Sequence, residues 1–503
     1  SLKEKEMKNI KLIGFLFISL LILGSCTKGW EEMNIDPNSA SDVPAENILI
    51  NVERGISNTL GDVWWTGNNT SSYAGHIAKI QYIDENRYQE RDGIIERWGT
   101  LMGYQVDLNK VIEKSQASGN AAMEGAALTI KAMLWQVMTD TWGAIPFTEG
   151  AKGEEEVLQP AYDSQETVYD GLLAMLEQAN TLLAQGGTIK NDIWNNNSVA
   201  LWQKFANSLH LRVAIRMSNV DPAGAKAELQ KILQTSQSTY PILSSNADEI
   251  ALNWFGTSPY WEPYYSDSQS RDDHGMCKTF VDALNATNDP RIGEFAHPAA
   301  SDGLYRGVPA GMSNAQAGAT PLISISRIGT RYRDLPTGAT YFMRYAEVEF
   351  IKAEAFLRAD LLNNATLAQA AYEAGITASC AEHGVAPGQT TTYMAQANVS
   401  WGGAGSWGYT NLQKIYYQKW VSLFKQGLEA WAETRRTDIP LMGVAPGAVP
   451  TSLLTAHNRP PFRWPYPTSE YTLNEAVVKA NDGAIVDRFW GAQMWWDKRT
   501  GVN

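Results

Sequence analysis

The stretch "LWQKFANSLHLRVAIRM" (residues 201–217) decides the fold. Trp202, Phe205, Ala206, Leu209 and Val213 recur at three- and four-residue spacing, which gathers them on one stripe of an amphipathic helix. Residues 123–139 repeat the pattern through Ala126, Ile130, Met133, Leu134 and Val137. So does "RYAEVEFIKAEAFLRA" (344–359), with Ala346, Phe350, Ala353 and Leu357 on the apolar stripe. Its opposite face is charged and carries an i,i+4 pair, Glu354–Arg358. Further helices are expected near 44–60, 165–184, 366–381 and 411–435.

These helices fall into pairs: 101–115 with 123–139, 165–184 with 200–218, and 345–359 with 366–381. Ala126, Ala206, Ala346 and Ala353 on the stripes allow close approach of helix axes. Pairing of this kind is how tetratricopeptide-type repeats bury a continuous core. The expected fold class is mainly α, a tetratricopeptide-like scaffold over about 43–218 and 345–503. Residues 219–344 and 384–410 are rich in Gly, Pro, Asn, Ser and aromatics. That aromatic content argues against disorder, so 219–344 reads as an inserted, loop-rich lobe.

The chain has 503 residues, too many for one simple core. Its formal charge is −13, which argues against a nucleic-acid partner. Eighteen tryptophans exceed ordinary usage and suggest anchored helix contacts or an aromatic binding surface. Cys277 and Cys380 could form one bridge or stay as two separate thiols, the plainer reading.

The third cysteine ends the stretch "FISLLILGSC". Lys8 and Lys11 precede an apolar run from Leu12 to Leu23. The run is short for a bilayer core of ~30 Å but fits an export signal. Leu23-Gly24-Ser25-Cys26 resembles a bacterial lipobox, so residues 1–25 are expected to be a signal peptide and Cys26 the lipidated residue. Residues 26–42 read as a polar, turn-rich tether to an outer membrane.

A series of motifs then runs nearly end to end: "TDTWGAIPFTE" (139–149), "YDSQETVYDGLLAML" (162–176), "WQKFANSLHLRVAIR" (202–216), "NDPRI" (288–292), "MRYAEVEFIKAEAFLRA" (343–359), "QGLEAWAETRRTDIP" (426–440), "RWPYPTSEYTLN" (463–474) and "MWWD" (494–497). With the lipobox, their order and spacing resemble the SusD/RagB family of outer-membrane glycan-binding lipoproteins, in its SusD-like branch. The resemblance implies a SusD-like fold of four helical-repeat units with an irregular ligand-binding lobe. It implies capture of oligosaccharide at the cell surface without cleavage, and a SusC-type TonB-dependent transporter as partner. A peptide-capturing member of the same family, or a protein-binding helical-repeat scaffold, is the alternative. Most of the motif residues read as scaffold: Asp140, Trp142, Gly143 and Pro146 at a helix end, and Glu429, Arg435, Arg436 and Asp438 as an ion network.

A sugar ring offers C–H bonds on its face and hydroxyls on its edge, so it needs exposed aromatics beside planar polar side chains. "NWFGTSPYWEPYYSDSQSRDD" (253–273) fits best. Six of the twelve residues from Trp254 to Tyr265 are aromatic, namely Trp254, Phe255, Tyr260, Trp261, Tyr264 and Tyr265, and Gly256, Pro259 and Pro263 oppose a regular helix there. These rings could instead form a small core for the lobe. "GDVWWTGNNTSSYAG" (61–75) is second, pairing Trp64 and Trp65 with the amides of Asn68 and Asn69. Adjacent tryptophans point apart, so one of the two could be core. Trp401, Trp407 and Tyr409, and then Arg331 and Tyr332, are weaker candidates.

No catalytic residue is assigned. Glu347 and Glu349 would lie about 200° apart on a helix and cannot flank one bond. Asp272 and Asp273 are adjacent in a loop and open to an acid–base reading. The six histidines are scattered, and no metal or other cofactor is expected, although loop Asp and Asn leave calcium undecided.

Overall fold

The computed structural model describes residues 43–89, 97–152, 157–482 and 489–503; the signal segment, the tether and Cys26 lie outside them. Residues 45–503 form one compact unit. Among the described residues its frame is nine helices: α1 (Ala45–Leu60), α2 (Arg97–Ser118), α3 (Ala121–Trp142), α4 (Gln165–Ala184), α5 (Val199–Met217), α6 (Tyr345–Leu357), α7 (Ala365–Glu382), α8 (Asn411–Ser422) and α9 (Gly427–Thr437). From α1 to α5 each packs on the next, and α6 closes against α5, α7 and α8. The fold is thus mainly α and a helical repeat, as expected. No helix among the described residues is long and apolar enough to cross a membrane.

Side chains start these helices where the pattern places them. Asn120, Ser164, Ser198 and Asn364 each accept an N–H from the first turn of α3, α4, α5 and α7. Thr410 and Gln413 form a reciprocal capping box at α8. Gly143 ends α3 at φ +89°, a conformation side chains rarely adopt.

One expected helix, 411–435, is two. α8 stops at Ser422, Lys425 turns at φ +67°, and α9 starts at Gly427. A Cβ on Gly427 would sit 2.3 Å from Ser71 Oγ, so the break lets the chain pass close to the segment after α1.

The charged face of α6 is not solvated. Glu347, Glu349 and Glu354 are buried because α6 is covered on both sides. Arg212 of α5 makes a bidentate bond to Glu347 at 2.6 and 2.7 Å. Arg436 of α9 does the same to Glu354 at 2.6 Å on each oxygen, and the Glu354–Arg358 pair forms at 3.3 Å.

Between α5 and α6 the chain forms short helices and three strands, which with one strand from the α1–α2 connection make two small antiparallel sheets. β1 (Ile77–Lys79) pairs with β3 (His274–Met276), and β2 (Ile250–Asn253) with β4 (Ala339–Met343). A second apolar cluster, with Phe280, Phe295, Tyr332, Trp420 and Phe424, joins these segments to α8. Cys277 and Cys380 are separate buried thiols.

The "NDPRI" motif is a buried clamp. Arg291 donates to both oxygens of Asp289 at 2.9 and 2.6 Å, to Ser379 of α7 at 2.8 Å, and to Gln418 of α8 at 3.0 Å. Removing one charge of a fully buried pair costs about 3–5 kcal/mol. Asp289→Asn is therefore expected to destabilise the protein by about that amount, seen as a lower urea midpoint. An unchanged midpoint would mean that the neutral partners alone satisfy Arg291.

Candidate functional site: two aromatic rings bridged by an arginine

The residues after α1 form a π-helical turn, Val63–Thr70. Asp62 caps it by accepting the Trp64 N–H at 3.0 Å. The turn sends the two tryptophans opposite ways. Trp65 is fully buried and stacks on Trp142 with centroids 6.1 Å apart. Trp64 is half-buried and rests against the second apolar cluster.

Arg271 lies over Trp64, with Cζ 5.0 Å from the ring centroid. The same guanidinium lies 5.1 Å from the ring of Tyr82. Tyr82 is 61% exposed and sits at φ +49° in the turn after β1. Lys79 Nζ is 5.5 Å from the Trp64 ring. Arg271 is held from behind by Asp273, which accepts from Nε at 2.7 Å and also from Nη2. Gln81 anchors the turn by donating to the Asp272 carbonyl at 3.0 Å. Two rings and a guanidinium thus share one surface, with the polar atoms of Gln81, Asp267 and Gln269 near in sequence.

Beneath this surface the amides are structural. Asn68 Oδ1 is 2.6 Å from His274 Nε2, and its carbonyl accepts from Asn86. Asn69 donates to the Trp64 carbonyl at 3.1 Å. Both amides are buried, so they shape the turn rather than face solvent.

The 253–273 stretch divides in the same manner. Trp254 is buried and donates from Nε1 to Thr340 at 3.0 Å. Tyr264 is buried, with Lys425 Nζ 4.5 Å above its ring. Burial removes Trp65, Asn68, Asn69, Trp254 and Tyr264 from ligand reach and corrects their expected role. Phe255 and Tyr260 are exposed and meet edge-on at 6.0 Å. Trp261 and Tyr265 are half-buried and meet edge-on at 5.5 Å. Pro263 opens a short helix, Pro263–Ser268, instead of excluding one, since proline fits the first helical position.

The weaker candidates are also packed. Tyr332 is buried and bonded to His383 at 2.6 Å, and Arg331 donates to the Tyr341 hydroxyl at 2.9 Å. Trp401 rests on Tyr372, and Trp407 meets Tyr417 edge-on at 4.9 Å. Their loop is gathered by Lys414, whose Nζ donates to the carbonyls of Ala397, Ser400 and Gly403 at 3.3, 2.8 and 2.6 Å.

Asp272 and Asp273 do not make an acid–base couple. Asp273 is committed to Arg271. Asp272 accepts from Arg327 at 2.8 Å and Arg333 at 3.0 Å; against a burial effect that raises it, these guanidinia hold its carboxyl below the usual range. Glu177, His210 and Glu228 converge as metal ligands could, but Lys231 Nζ fills that role at 2.9 Å from Glu177 and 2.5 Å from Glu228.

The chain belongs to the SusD-like_2 family, described as starch-binding and associating with the outer membrane; the family model matches residues 37–467. Among solved structures, a chitin-binding SusD homologue from Flavobacterium johnsoniae is 24% identical, with a TM-score of 0.76, over 89% of this chain and 98% of that one. A SusD homologue from Bacteroides fragilis is 22% identical, with a TM-score of 0.74, over 91% and 100%. One from Bacteroides vulgatus is 25% identical, with a TM-score of 0.71, over 88% and 93%. No curated protein matches the chain.

His274 under the platform is held neutral. Burial pushes its imidazole down from 6.5 to about 3, and the charges of Lys79, Arg333 and Arg271 add to that. Its ring signals are expected not to titrate between pH 5 and 8 by NMR. Because the folded value lies below the unfolded one, its contribution to stability is full above pH 6.5 and is lost as pH falls toward 3.

Proposed function

We propose that this chain is a cell-surface lipoprotein, tethered to the outer membrane by lipid on Cys26, that captures oligosaccharide without cleaving it and passes it to a SusC-type TonB-dependent transporter. The observation that carries this reading is the Tyr82–Arg271–Trp64 group, in which Tyr82 is exposed and Arg271 and Trp64 are half-buried. A sugar's C–H face lies on the outward side of Tyr82, and its hydroxyls meet Arg271 and the neighbouring carboxylates. The half-buried Trp261 and Tyr265, and the exposed Phe255 and Tyr260, extend the aromatic surface for a longer chain. A binding rather than hydrolytic role is supported by the commitment of Asp272 and Asp273 to arginines.

The glycan to try first is a β-linked N-acetylglucosamine oligomer, because two solved proteins of this fold are chitin-binding. Weak capture by many tethered copies raises ligand concentration beside a transporter.

Titration of N-acetylglucosamine hexamer and of soluble starch against the parent, Tyr82→Ala and Trp64→Ala tests the platform. At least about a tenfold loss is expected for each variant, as for other central aromatic contacts. Full retention by both would place the ligand elsewhere. In cells, palmitate labelling is expected to disappear in Cys26→Ala; persistence would remove the lipid anchor from this reading.

A further inference from the structure

A cavity of about 60 Å³ lies within the frame, between α3, Arg212 of α5, β4 and the break between α8 and α9. One water needs roughly 10–15 Å³, so the space holds more than one. Its polar lining carries both signs of charge. Arg212 is cationic, Asp140 and Glu429 are acidic, and Gln136 and Gln426 are neutral amides. An anion would meet two carboxylates there, and a cation would meet a guanidinium. The lining therefore suits a small uncharged molecule that both donates and accepts hydrogen bonds.

The polar atoms around this space fall short of one another. Gln136 Nε2 and Gln426 Oε1 are buried and meet no hydrogen-bond partner among the described residues. Both side chains belong to the interior, Gln136 at 3% exposure and Gln426 at 8%. Asp140 takes two donors on one oxygen: the Tyr169 hydroxyl at 2.6 Å and the Trp496 indole N–H at 2.8 Å both reach Oδ1. Its Oδ2 faces Arg216 Nε at 3.8 Å, and that N–H is likewise buried without a partner among the described residues. A separation of this size is too long for a direct bond and is where a bridging water belongs. A buried donor or acceptor left unmet is costly, whereas a water with several polar neighbours satisfies them together.

We propose that the cavity is a structural-water site, in which at least two ordered waters bridge Gln136 and Asp140 of α3 to Gln426 at the α8–α9 break. Gln426 immediately precedes Gly427, whose backbone passes against Ser71, the residue that follows the π-helical turn bearing Trp64. The waters thus form a joint between the helical frame and the segment on which the platform is built. A side chain long enough to close the same gap would have to carry a donor and an acceptor at once; water does both and adapts to either amide. The site is independent of what the platform binds.

The test is a crystal structure of the full chain at a resolution that shows ordered water, joined to magnetic relaxation dispersion of the solvent, which counts long-lived internal waters. Density for at least two waters is expected within hydrogen-bond reach of Gln136 Nε2, Gln426 Oε1 and Asp140 Oδ2. Gln136→Leu and Gln426→Leu should each lose at least one long-lived water relative to the parent, with a circular dichroism spectrum that matches the parent's and shows the helices intact. The proposal is overturned if the cavity holds no density, if the two glutamines turn to bond each other, or if the density is a metal ion at metal–oxygen distances. A water count unchanged in both variants overturns it too. Should a variant fail to fold, the density in the parent decides alone.

Discussion

Glu347, Glu354, Glu429 and Glu433 would be costly charges in the interior were they not met by arginines from neighbouring helices. Arg212 and Arg216 project from α5, and Arg436 from α9. Arg212 takes Glu347, Arg216 takes Glu429 and Glu433, and Arg436 takes Glu354 and Glu433. The guanidinium suits this work because its planar fork satisfies two carboxylate oxygens at once and stays charged when desolvated. The consequence is topological. The chain leaves α5, wanders for more than a hundred residues, and returns as α6 against the same helix. Apolar packing alone would let that return slide along α5; Glu347 under Arg212 fixes its height. Arg358 adds a second fixing point by donating to the hydroxyl and carbonyl of Ser218 at the end of α5. Both ends of α6 are thereby tied to α5.

That arrangement explains which parts were legible in the amino-acid pattern. The helices were, since a stripe such as Trp202–Phe205–Leu209–Val213 can be buried in only one way. The break between α8 and α9 was not, because it answers to the approach of Gly427 to Ser71, more than three hundred residues away. The burial of Glu347 and Glu354 was also hidden. A charged face reads as solvated unless the arginines that cover it are known to be near, and those lie on other helices.

The candidate surface was half legible for a related reason. Composition marked the stretches 61–75 and 253–273, and both contribute to the platform. It could not tell which ring of each stretch faces out. Trp64 and Trp65 differ only in which side of a π-helical turn they occupy, and Trp254 is drawn inward by the hydroxyl of Thr340. Tyr82 carried no signal, since a single tyrosine after a three-residue strand resembles any other. Arg271 stood within a marked stretch, but its position between two rings depends on β3 pairing with β1. Low identity to solved relatives with near-complete coverage fits this division: the frame is shared, and the identity of a loop ring is set locally.

The loop carrying Trp401 and Trp407 closes around an ammonium group. Three backbone carbonyls converge on Lys414 as they would on a bound metal ion. Here the cation is part of the polypeptide, attached by its own four-carbon stem, so no chelator in the surroundings can strip it away. The loop thereby keeps its shape without borrowing an ion.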